Sequence, residues 1–88
     1  MKLKENTILK EINNEFIIIP LSDDNMDYDV ILKTNKVGAT IYKMLENEIE
    51  YENLISALYE KFDVDLEELK KDVNEFIESL REKGLLDD

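Results

Sequence analysis

The chemistry open to this sequence is narrow, because it contains neither histidine nor cysteine. Those two absences remove the commonest general base, a favoured nucleophile, and the imidazole and thiolate ligands of most metal sites. Carboxylates remain, with the hydroxyls of Ser22, Ser56 and Ser79 and four tyrosines. The most suggestive group is Asp23, Asn25, Asp27 and Asp29, which alternate as calcium ligands do in an EF-hand loop. That loop needs glycine at its sixth position and a bidentate glutamate at its twelfth. Counted from Asp23, those places hold Tyr28 and Thr34. The match fails where the geometry is strictest, so a solvated acidic loop is the better reading. The only glycines, Gly38 and Gly84, are too far apart for a phosphate-cradling loop. Nothing here assembles a catalytic set or calls for a cofactor, and the sequence points to binding.

Charge says what could be bound. The 88 residues carry 11 basic and 22 acidic side chains, for a net charge of −11. Residues 1–36 hold five basic against seven acidic groups, and residues 37–88 six against fifteen, so the halves stand at −2 and −9. A nucleic-acid binder neutralises phosphates with lysine and arginine, and the second half would repel them. Its partners are expected to be cationic or apolar. No apolar run approaches the ~20 residues of a membrane span. The start, Met1-Lys2-Leu3-Lys4-Glu5-Asn6, lacks a secretory h-region. With cysteine absent, these features favour the cytoplasm.

The elements that must position any site fall into strands first and helices second. Residues 7–12 alternate Thr7, Leu9 and Glu11 with Ile8, Lys10 and Ile12, as a half-buried strand does. Asn13-Asn14 suits the left-handed backbone of a two-residue hairpin turn. Residues 16–21 form a β-branched run with apolar groups on both faces, the mark of a central strand, and Pro20 suits its end. The polar stretch at 22–28 reads as a loop, and Val30, Ile31 and Leu32 lie in a third strand over 29–34. In a simple meander that strand lies at an edge.

Helices follow. Asn35 caps one expected to run to Asn47, with Val37, Ile41, Met44 and Leu45 on one stripe. A second fits residues 51–62, facing Leu54, Ile55, Leu58 and Phe62 inward; Glu50 is a poor cap for it. The third is the best marked. Asp65 and Glu68 form a capping box, and Val64 and Leu69 take the flanking hydrophobic-staple positions. Leu66, Leu69, Val73, Phe76, Ile77 and Leu80 follow helical spacing, and Gly84 ends the helix with Leu80 and Leu85 placed for a Schellman contact. The expectation is one α+β domain over residues 1–88: a three-stranded antiparallel sheet followed by three helices, winged helix-turn-helix-like.

Two known classes share these ingredients and fail on detail. An acyl carrier needs its modified serine at a helix start, whereas Glu78-Ser79-Leu80 lies near a helix end. A DNA-binding winged helix needs a basic or amide-bearing recognition helix. Here the third helix sets Glu67, Glu68, Asp72, Glu75, Glu78 and Glu82 against Lys70, Lys71, Arg81 and Lys83.

Residues 35–45, Asn35-Lys36-Val37-Gly38-Ala39-Thr40-Ile41-Tyr42-Lys43-Met44-Leu45, are similar to the strand-to-helix signature of the PqqD family, Leu-Asn-x-(Thr/Val)-Gly-x-x-Ile-Trp. Leu58-Tyr59-Glu60-Lys61-Phe62-Asp63-Val64-Asp65 and the ending Leu80-Arg81-Glu82-Lys83-Gly84-Leu85-Leu86 agree in order. The resemblance covers about residues 7–86. Thr34 stands where the family usually has leucine, and Tyr42 where it often has tryptophan.

The resemblance implies a non-catalytic chaperone for ribosomally made, modified peptides. It would take the leader of a precursor peptide as an added strand and present it to a modifying enzyme, often a radical SAM enzyme. On that carry-over Val30, Ile31, Leu32 and Lys33 supply the main-chain ladder. Leu69, Val73 and Phe76 supply pockets, and Asp72 pairs with a cationic residue of the leader. Each of those three apolar side chains is claimed equally by the core, and Gly38 and Tyr42 read better as packing residues than as ligands. The alternatives from other classes are the winged-helix DNA regulator and a plain dimerisation module, the latter because residues 16–21 are apolar on both faces.

Overall fold

A computed structural model describes residues 1–4, 7–21 and 32–87 of the chain. Its sheet starts with β2 (Thr7–Ile12) and β3 (Glu15–Pro20), after a short β1 (Lys2–Leu3). The β2–β3 turn is Asn13-Asn14, with φ of 52° and 68°, the positive pair that a tight hairpin turn requires. Register runs from Thr7 opposite Pro20 to Ile12 opposite Glu15. β4 (Leu32–Thr34) pairs antiparallel with the other side of β3, Phe16 opposite Thr34 and Ile18 opposite Leu32. The order is therefore β2-β3-β4. β3 is central as its two-faced apolar run demands, and Ile18 within it is fully buried. The first two residues of the expected third strand that carry apolar side chains, Val30 and Ile31, lie outside the described residues, as do Asp23, Asn25, Asp27 and Asp29.

Three helices follow, α1 (Lys36–Met44), α2 (Tyr51–Lys61) and α3 (Leu66–Glu82), with α1 packed on β3 and β4 and the other two packed on α1 and on each other. Asn35 caps α1, its side chain accepting from the Gly38 N–H at 3.0 Å. α1 is shorter than the sequence suggests, ending at Met44 rather than Asn47. Leu45 is buried beyond its last turn, and its carbonyl accepts from the Leu3 N–H at 2.8 Å. That bond to the N-terminal segment replaces continuation of the helix. α2 starts without a side-chain cap at Glu50.

α3 has both expected ends. Asp65 accepts from the Glu68 N–H at 3.2 Å. At the other end the Gly84 N–H donates to the Arg81 carbonyl, and the Leu85 N–H to that of Leu80. Gly84 has φ 71°, so this is a Schellman cap. The expected staple is loose: Leu69 is buried but Val64 remains 42% exposed.

One element had no sequence signature. β1 pairs with β5 (Leu86–Asp87) in a second, two-stranded sheet, Leu3 opposite Leu86. Leu3, Leu85 and Leu86 join a core otherwise built from Ile18, Ile41, Tyr42, Leu45, Leu54, Ile55, Leu58, Leu69, Val73, Ile77 and Leu80. Among the described residues no polar or charged side chain is buried, and no helix is long and apolar enough to cross a membrane.

Candidate functional site

A sheet of order β2-β3-β4 has two outer strands, and each has unpaired backbone groups along one side among the described residues. Such groups form a template for another extended chain. What distinguishes the two edges is what stands beside them.

Beside β4 is α3, reached across the start of α1. Thr34, Asn35, Val37, Asp72, Glu75 and Phe76 line a cavity of about 230 Å³ there, with Gly38 and Ile41. Gly38 makes the close approach: a Cβ built on it would overlap the Thr34 hydroxyl and lie 2.8 Å from the Thr34 Cβ. Threonine at position 34 and glycine at position 38 thus fit as a pair, which accounts for Gly38 by packing alone. Leu32 and Thr34 are half-buried toward the helices, and Lys33 between them is exposed, the alternation of a pleated strand.

α3 presents its residues to this cavity unequally. Leu69 is 2% exposed and Val73 0%, so both side chains are spent on the core. Phe76 packs against the core while keeping part of its ring in the cavity wall. Asp72 and Glu75 are exposed at the rim. The structure therefore brings Asp72 and Phe76 together at the cavity, leaves Leu32 and Lys33 outside its lining, and places Leu69 and Val73 in the core. Thr34, Val37 and Glu75, which the sequence reading did not single out, complete the cavity. Glu75 could have been found by spacing, since it lies three residues after Asp72 on the same flank of the helix.

Beside β2 the surroundings differ. Leu3, Lys4, Thr7, Leu9, Tyr42 and Lys43 border a larger cavity of about 570 Å³, with Ile8 and Glu46. Tyr42 is buried, and its phenol shares a 2.8 Å hydrogen bond with the Thr7 hydroxyl. Tyr42 is thus a core residue, as expected, with its polar tip satisfied. Lys10, Glu11 and Ile12 at the hairpin end of β2 are exposed, and a lysine on an outer strand discourages indiscriminate pairing.

The class these features define is a small α+β domain with a sheet edge set against a helix and a cavity between them. The chain belongs to the PqqD family: the family model for coenzyme PQQ synthesis protein D matches residues 24–86. The same fold occurs in the solved structure of TbiB1 in complex with the TbiA(beta) leader peptide. The two agree with a TM-score of 0.72 at 23% sequence identity, covering 99% of this chain and 95% of that one. No curated protein sequence matches the chain.

Proposed function

We propose that this protein is a non-catalytic recognition domain that holds the leader of a ribosomally made precursor peptide as a strand added to β4. The leader would run between β4 and α3, leaving the segment beyond it free for a modifying enzyme, a radical SAM enzyme in the reading drawn from the family. The observation that carries this is the juxtaposition at β4: an outer strand, Thr34 at its end, and a cavity walled by Phe76 and Asp72. Membership of the PqqD family supports it, and so does the fold shared with TbiB1, which was solved with a leader peptide. The work would be done in the cytoplasm, where precursor peptides are made.

Backbone pairing alone would not hold the peptide. Each added ladder bond contributes about 1 kcal/mol net, while ordering each peptide residue costs about 1–2 kcal/mol. Affinity must then come from side chains placed against Phe76 and its neighbours, and a dissociation constant of order micromolar, about −8 kcal/mol, is expected. DNA binding is disfavoured, because α3 would bring carboxylates to the phosphates.

The test is an NMR titration of the labelled protein with leaders of short peptides encoded nearby. Shifts at Leu32, Lys33, Thr34, Asp72 and Phe76 are expected. Shifts confined to Thr7, Leu9 and Tyr42 would move the site to the β2 edge and overturn the proposal.

A further inference from the structure

This inference rests on the reading above and concerns which peptides the β4 groove accepts. Among the described residues lining the cavity, no cation is present, and the two charged groups are the carboxylates of Asp72 and Glu75. Neither takes part in an ion pair among the described residues. Lys71, one turn before Glu75 on α3, is exposed, lies outside the cavity lining and makes no ion pair among the described residues; two further cations lie nearby. Lys33 projects from the opposite face of β4 to its half-buried neighbours, and Lys36 borders a separate cavity with Glu11 and Phe16.

The N-terminus of α1 opposes the carboxylates, but weakly. A helix start amounts to about half a positive charge, and Asn35 already satisfies one of its N–H groups, that of Gly38. Two full carboxylates outweigh it, so the groove is negative.

The pleat then fixes where a complementary charge must sit. In a strand added to β4, side chains alternate between the face shared with Leu32 and Thr34 and the face shared with Lys33. Residues two apart on the inner face meet α3 together. We infer that the groove selects peptides carrying a basic residue two positions from an apolar one, the apolar side chain against Phe76 and the basic one at Asp72 and Glu75. The residue between them points to Lys33 and is acidic or neutral. The edge and the cavity make the site; the two carboxylates give it a sign.

The experiment is a selection of displayed random twelve-residue peptides on the immobilised full chain, in parallel with Lys33→Pro, which removes a β4 N–H pointing away from β3, and with the double variant Asp72→Lys/Glu75→Lys. Circular dichroism checks that each variant is folded. Peptides retained by the wild type but lost on Lys33→Pro are then measured by fluorescence anisotropy. N-methylation of their backbone amides serves as a second test of strand pairing that leaves the protein untouched.

Peptides that depend on the Lys33 N–H are expected to carry lysine or arginine two positions from an apolar residue. The double variant should weaken them about tenfold at low salt and prefer glutamate in the basic position, with the difference shrinking as salt rises. Peptides dependent on the Lys33 N–H that are acidic or uncharged there would overturn the charge rule while leaving strand addition in place. If no peptide depends on the Lys33 N–H or on its own backbone amides, strand addition falls, and the charge rule with it.

Discussion

The two outer strands of one three-stranded sheet face opposite electrostatic surroundings. β2 borders a cavity with Lys4 and Lys43 against Glu46, while β4 borders one with Asp72 and Glu75 and, among the described residues, no lining cation. In a protein of net charge −11, the β2 side is thus a local exception. An unpaired strand is therefore not sufficient to define a binding site. What differs is the element alongside it, α3 at β4 and the last turn of α1 with the N-terminal segment at β2, and on the proposed reading that element would supply selectivity.

The largest effect expected from breaking this contrast is at Gly38. Gly38→Ala forces Thr34 aside, so chemical denaturation should show a loss of about 1–3 kcal/mol, with peptide capture at β4 lost and the β2 side undisturbed. Combining it with Thr34→Ala should recover part of that loss. Next is Tyr42→Phe, which removes the bond to Thr7 and should cost about 1 kcal/mol. It should loosen β2, seen as faster amide exchange in residues 7–9, and leave peptide affinity at β4 unchanged.

Smaller again is Asp72→Lys, expected to weaken a basic leader by up to about 1 kcal/mol in an anisotropy titration, whereas Lys43→Glu should leave that titration unaltered. Least disruptive is Ile12→Lys. Ile12 is 49% exposed, so stability should move by no more than about 0.5 kcal/mol. If copies associate through β2, the same change should abolish that association in sedimentation without affecting capture at β4.

Much of the fold could be read from residues with strong local rules. Asn13-Asn14, Asn35, Asp65 and Gly84 each solve a backbone problem at a turn or a helix end, and each stands where expected. β1 and β5 could not be read, because two-residue strands have no periodicity and their pairing joins opposite ends of the chain. The end of α1 was misplaced for a related reason. Leu45 fits the helical stripe, but its carbonyl is taken by the Leu3 N–H and the Glu46 N–H turns back to Lys43, partners that spacing along the helix does not reveal.

The site was legible in part. Spacing along α3 identifies an apolar stripe but not its flanks, so Leu69, Val73 and Phe76 look alike in sequence. Only the position of β4 and α1 separates Phe76, at the cavity, from Leu69 and Val73 in the core. Val30 and Ile31 lie outside the described residues, so the ladder is drawn from Leu32 onward.

The β1–β5 ladder has a topological consequence. It sets Lys2 opposite Asp87, so the first and last strands can be joined by a short glycine-rich bridge. New termini could then be opened at Asn13-Asn14, the exposed tip of the hairpin. Such a circular permutant should keep β4, α1 and α3 in place. The adjacency also lets the domain be spliced into a surface loop of a carrier protein at one point, with the β4 groove still facing outward.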